Sequence, residues 1–119
     1  MKLSDHFNSK EFLCPCGCGH DKIRQSHIDL LEEARRLADI PFNINSGCRC
    51  ETYNERIGGV DSSAHVAGFA SDIKATTSGS RHEILASLIA VGFTRIGMSR
   101  NFIHVDNDPT KPSRVTWVY

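Results

Sequence analysis

Two helix-like stretches and five short strand-like segments alternate in this chain without a repeated strand–helix–strand rhythm. A doubly wound parallel sheet needs that repeat, so the order predicts an α+β fold, with helices packed on a small, mostly antiparallel sheet. The spacing predicts a first helix from about residue 26 to residue 38, with Ser26 as its cap. It places His27, Leu30, Leu31, Ala34, Leu37 and Ala38 on one face, and leaves Asp29, Glu32, Glu33, Arg35 and Arg36 to solvent. Ser80-Arg81-His82-Glu83 reads as the capping box of a second helix that carries Ile84, Leu85, Leu88 and Val91 and closes at Gly92. A shorter helical turn is expected over residues 51–57, stopped by Gly58 and Gly59. Strands are expected at residues 41–46, 70–75, 95–99, 102–106 and 114–119. With 119 residues, no repeat and no long linker, one domain spanning 1–119 is expected.

Hydrophobic residues make up 39% and charged residues 24%, the balance of a globular domain rather than of a disordered chain. Fourteen basic residues offset fourteen acidic ones, so the basic excess that grips phosphate backbones is missing and no nucleic-acid partner is expected. No apolar run approaches the roughly 20 residues that cross a bilayer, so no membrane insertion is expected. The opening MKLSDHFNSKEF lacks the apolar stretch of a signal peptide, which predicts synthesis in the cytoplasm.

Two segments carry the candidate chemistry. In Phe102-Ile103-His104-Val105-Asp106, strand alternation puts His104 and Asp106 on one face and sends Ile103 and Val105 into the core. In the stretch from Ser63 to Asp72, His65 and Asp72 can converge if His65 lies in a turn, Gly68 allows the bend and Asp72 points inward from the following strand. Two imidazoles and one carboxylate suit Zn²⁺, and three protein ligands leave a coordination position open for water. Such a water has its pKa lowered to about 7, which supplies hydroxide at neutral pH. His6, His20, His27 and His82 fit no ligand pattern as well, and His27 reads as a hydrogen-bonded histidine on the apolar face of the first helix.

Ahead of these lies Asn45-Ser46-Gly47-Cys48-Arg49, followed by Asn54, Gly58 and Gly59. With Ser63, His65, Gly68, Ala70 and Asp72, and then His104 and Asp106, the series resembles the zinc D,D-peptidases of the bacterial cell wall, whose fold is shared with the hedgehog signalling domain. Cys48 stands where that family usually has an aromatic residue. The segment from Gly92 to Gly97 and the opening from Glu11 to Gly19 resemble its small, phage- and prophage-associated branch. The resemblance covers nearly the whole chain. It implies a monomeric metallopeptidase acting on peptidoglycan stem peptides, either trimming a terminal D-alanine or cutting within the stem. One catalytic zinc would be held by His65, Asp72 and His104. Arg49 would face the substrate, clamping a carboxylate or stabilising an oxyanion, and Ser63 would support the loop or a substrate group. An enzyme of this kind made without a signal peptide would reach the wall after release in lysis, or as a virion part.

Better-known branches of the family place an acid three residues before the last histidine as general base, and here that position is Asn101. Asp106 is the available carboxylate, either as the base or as a group orienting a ligand. A non-catalytic zinc-containing module that binds the cell wall is therefore the alternative reading, and a cysteine-zinc module for another macromolecule is a third. The five cysteines, Cys14, Cys16, Cys18, Cys48 and Cys50, make an odd number, with C-x-C rather than C-x₂-C spacing. Packed thiols or a disulfide joining the N-terminal segment to Cys48 or Cys50 are expected ahead of a structural zinc.

Overall fold

A computed structural model describes residues 1–119. A 3₁₀ turn (Ser9–Phe12) precedes α1 (Gln25–Ala38) and β1 (Ile44–Ser46). Two short helices, α2 (Glu51–Arg56) and α3 (Ala64–Ala67), lead into β2 (Ala70–Lys74). The long α4 (Ser78–Ala90) is followed by β3 (Arg95–Met98), β4 (Phe102–Asp106) and β5 (Val115–Val118). The strands form one sheet in the order β1-β2-β4-β3-β5, antiparallel throughout except for the parallel β3–β5 pair. This is the α+β architecture that the order of segments predicts. No helix is long and apolar enough to cross a membrane.

Alternation along the strands divides the sheet into two chemically different faces. Ile73, Ile96, Ile103 and Val105 face the core with Ile28, Leu31, Ala34 and Ala38 of α1 and Ile84 and Leu88 of α4. Phe7, Phe12, Phe42 and Phe93 fill the space around them. The opposite face carries Asp72, His104, Asp106 and Arg95, with α3 at its edge. One layer of helices thus supplies the apolar burial that frees the other face for polar chemistry.

His27 sits wholly buried beneath the sheet, where its Nδ1–H donates to Asn107 Oδ1 (3.0 Å) and its Nε2 accepts from the Ser71 hydroxyl (2.7 Å). Burial pushes its pKa down to about 4, so it stays neutral and bonded, as its place on the apolar helix face implied.

Several local expectations are corrected. α1 begins at Gln25 after Arg24, with no side-chain cap, so Ser26 lies inside the helix. The capping box of α4 is Thr77 with Ser80 rather than Ser80 with Glu83. His65 lies in a short helix rather than a turn, capped by Ser63 and ended by Gly68 in the left-handed conformation (φ 83°). Leu37, assigned to the buried face of α1, is 60% exposed, whereas Glu32, assigned to solvent, is buried. Glu32 is covered because the N-terminal segment crosses α1 at this point. The Ser4 hydroxyl (2.6 Å) and the His6 backbone N–H (2.7 Å) donate to its Oε1, and the His6 ring Nδ1–H donates to its Oε2 (2.6 Å).

Burial alone would raise the Glu32 carboxyl, but the bonds from Ser4 and His6 outweigh it and hold its pKa down to about 2. A depressed carboxylate contributes stability above its unfolded pKa and loses it as pH falls through the folded one. The chain should therefore lose stability between the ordinary value of 4.5 and about 2. Glu32→Gln should remove this residue's share of the dependence and cost on the order of 2 kcal/mol at pH 7. Denaturant unfolding at a series of pH values checks both.

Candidate active site

The sheet register builds the site. Asp72 of β2 lies directly opposite His104 of β4, His104 opposite Gly97 of β3, and Gly97 beside Trp117 of β5, so one row crosses four strands. Opposed residues on one face bring their Cβ atoms to about 5 Å, close enough for a carboxylate and an imidazole to touch. Asp72 Oδ1 lies 3.0 Å from His104 Nδ1. His65 comes from outside the sheet: α3 stands just before β2 and aims its ring at the same point, with Nε2 3.3 Å from Asp72 Oδ1. The two imidazoles meet edge to face, their centroids 5.1 Å apart. All three side chains are buried, and their ligand atoms lie within 4.8 Å of one another.

Both histidines have one ring nitrogen committed elsewhere, which fixes their tautomers. His65 Nδ1–H donates to the Gly47 carbonyl (2.6 Å), leaving Nε2 bare toward the triad. His104 Nε2–H donates to Asp106 Oδ2 (2.6 Å), leaving Nδ1 facing Asp72. Asp106 is itself held: Arg95 Nε–H (2.7 Å) and the Asp108 backbone N–H (3.2 Å) both donate to its Oδ1. Arg95 and Asp106 are opposed in the β3–β4 ladder, so this pair is also a product of register.

The electrostatics follow from the geometry. Burial would raise Asp72, but the His104 and His65 rings beside it pull its carboxyl well below the ordinary range. Burial likewise opposes charge on His104, but Asp106 and Asp72 on either side raise its pKa. The Asp106 carboxyl is held low against its burial, chiefly by His104, with the Asp108 N–H and Arg95 adding to it.

This donor set fits a divalent zinc ion. It offers two imidazole nitrogens and a carboxylate, three protein donors in all. Donors sharing a tetrahedral zinc at roughly 2.0–2.1 Å stand about 3.3 Å apart, and the two donor separations at Asp72 Oδ1 are 3.0 and 3.3 Å.

The triad lies in a cleft of about 360 Å³ that Arg49, Ser63, Arg95, Asp106, Trp117 and Tyr119 also line. Arg49 follows β1, its backbone N–H tied to the His65 carbonyl (3.2 Å). Its guanidinium donates to Asn54 Oδ1 (3.3 Å) and stands 3.6 Å from Asp72 Oδ2, while its buried Nε has no partner. The Ser63 hydroxyl accepts from the His65 N–H (3.2 Å), capping the helix that carries that histidine. Asn101 is exposed at the start of β4 and is not among the residues lining the cleft. Sequence reasoning missed the Gly47 carbonyl, Arg95 and Tyr119. Trp117 is a wall, with its ring 5.3 Å from His104 and the Arg95 guanidinium 5.2 Å from its face.

Residues 5–106 match the model of the family described as Peptidase M15. No curated protein matches the chain.

Gly97 is what lets the indole reach His104. A Cβ on Gly97 would stand 2.5 Å from Trp117 Nε1 and 2.7 Å from Cε2. Gly97→Ala should therefore push Trp117 off the wall and cost about 1–3 kcal/mol through overpacking. Trp117 is the only tryptophan, so a shift of the emission maximum together with the unfolding midpoint checks this directly.

Proposed function

The chain belongs to the peptidase M15 family, and with that as premise we propose that it hydrolyses an amide bond in peptidoglycan stem peptides as a zinc-dependent metallopeptidase. The observation that carries the proposal is the convergence of His65 Nε2, Asp72 and His104 Nδ1, each ring presenting its uncommitted nitrogen to one point. These three residues would hold the ion. When bound, zinc supplies Lewis acidity toward a carbonyl and lowers the pKa of its water to about 7.

The remaining residues take roles that their contacts support. Arg49 binds substrate: its guanidinium is partly enclosed and only loosely paired with Asp72 at 3.6 Å, so it can clamp a terminal carboxylate or the oxygen that gains charge as the amide is attacked. Ser63 holds the His65 helix and forms part of the substrate wall. Trp117 and Tyr119 narrow the cleft and keep bulk water from its floor. Asp106 orients His104, because one of its oxygens is taken by that ring and the other by Arg95 and Asp108. As the resemblance implies, the proposed enzyme works as a monomer that reaches the cell wall after lysis or as a virion part.

The occupied oxygens of Asp106 favour a second reading. Asp72 and Asp106 are the only acids lining the cleft, and both are engaged, so a module that binds zinc and stem peptides without cleaving them is the alternative. Incubating zinc-loaded and chelated protein with muropeptides and weighing the products separates the two. A product that appears only with zinc supports the enzyme, and binding without product supports the module.

Two sets of variants test the assignments. His65→Ala should lose the triad's metal and turnover. Arg49→Ala should keep the metal and lose about 10²–10³ in kcat, the range for removing one oxyanion donor. Asp106→Asn should weaken zinc about 10–100-fold and recover most turnover in excess zinc, as expected of a group acting through a ligand. If kcat stays down by a larger factor at saturating zinc, Asp106 is the base instead.

A further inference from the structure

A second group of ligand-type side chains lies apart from the cleft. The sulfurs of Cys14, Cys16, Cys18 and Cys50 all fall within 4.8 Å of one another, and all five cysteines of the chain are free thiols. Three of the separations are resolved as contacts: Cys14–Cys16 at 3.5 Å, Cys16–Cys50 at 3.7 Å and Cys14–Cys50 at 3.8 Å. A tetrahedron with zinc–sulfur bonds of about 2.3 Å has edges of about 3.8 Å, so these lengths are those of thiolates sharing one cation. The geometry points to a structural zinc site formed by Cys14, Cys16, Cys18 and Cys50, separate from the triad and holding the N-terminal segment against the loop that presents Arg49.

The backbone around the group is arranged to support anionic sulfur. Cys14 Sγ accepts from the Cys50 N–H, Cys18 Sγ from the His20 N–H, and Cys50 Sγ from the Tyr53 N–H, each at 3.4 Å. Amides donating to the ligand atoms are what a thiolate–metal site uses to hold its donors in place. The C-x-C-x-C spacing, which departs from the common knuckle, is accommodated by a turn at Gly17 (φ 86°) between Cys16 and Cys18, with Gly19 (φ 84°) turning the chain away after the last of them. Cys48 is buried, outside the group, and His20 also falls outside it. The odd thiol left by the sequence is therefore Cys48, packed as a small apolar side chain.

This group occupies the place where packed thiols or a disulfide were expected. A disulfide takes its sulfurs two at a time, and all four are free thiols here. A tetrahedral site uses all four at once, and a four-cysteine set of this shape is a usual holder of structural zinc.

Metal counting on the intact, reduced chain tests the inference. Wild type should carry two zinc ions and five alkylatable cysteines after denaturation and chelation. His65→Ala/His104→Ala should retain one zinc, and loading that variant with cobalt(II) should produce the near-ultraviolet thiolate-to-metal charge-transfer band that nitrogen and oxygen ligands cannot give. Cys16→Ser/Cys18→Ser should lose one zinc and the band, keep the triad's ion and melt several degrees lower. A triad-less variant with no metal and no charge-transfer band overturns the inference, whether or not the triad binds zinc in the wild type. So does a wild-type chain whose mass and thiol count show these cysteines in disulfides. Because the cobalt spectrum reads sulfur ligation alone, failure of the triad and failure of the cysteine site give different results.

Discussion

Everything at the active face depends on the pairing of Asp72 with His104 across the β2–β4 ladder. A shift of one residue in that register would turn His104 and Asp106 into the core and bring Ile103 and Val105 to the cleft. The register is secured from the other side of the sheet, where Ile73, Ile103 and Val105 pack against α1 and α4. The apolar layer thus does more than stabilise the fold. Burial of one face fixes which residues appear on the other, and so a hydrophobic constraint places the donor atoms.

The polar groups around the triad form a chain in which each member limits the next. Arg95 holds Asp106, Asp106 holds the His104 ring, and the ring presents Nδ1 to Asp72. On the other side the Gly47 carbonyl holds His65. Such chains are worth most where water is scarce, because an unmade bond to a buried charge has no substitute. This explains why four ionisable residues, Asp72, His104, Asp106 and His65, can all be buried at under 10% exposure without destabilising the sheet. Each is paired, and no one of them carries an uncompensated charge.

What the sequence disclosed, and what it hid, follows from the range of the interactions. The alternation of residues 102–106 is a local, period-two pattern, so the two faces of β4 were legible from the residues alone. His65 and Asp72 were legible as a pair through the resemblance and Gly68, although the four-residue helix between them was too short for any periodicity. The Arg95–Asp106 contact needs the β3–β4 register, which no local signal supplies. Glu32 was misplaced because periodicity tells which face of a helix is polar, not that another segment will cross it. At α4 both Thr77–Ser80 and Ser80–Glu83 satisfy the spacing of a capping box, and the start of the helix at Ser78 selects the first. The cysteine group was obscured for a similar reason: alternate residues of an extended chain share a face but stand about 6–7 Å apart, and closing that gap takes a turn such as the one at Gly17, together with Cys50 from a distant segment.

The stretch from Gly47 to Cys50 is where these networks meet. Gly47 gives its carbonyl to His65, the Cys48 N–H donates to the Phe12 carbonyl (2.9 Å), Arg49 reaches Asp72, and Cys50 joins the sulfur group. A Cβ on Gly47 would stand 2.6 Å from Phe12 Cα, so the N-terminal segment is pressed directly against this stretch. Yet residues 47–50 belong to neither a helix nor a strand and have no ladder of their own to fix them. In the role proposed for Arg49, the guanidinium has to be positioned within about half an ångström, which an unsupported loop does not provide. Neighbouring side chains and backbone supply the rigidity that secondary structure does not. On this view the N-terminal residues and their cysteines support Arg49, and through Gly47 they reach His65 of the triad.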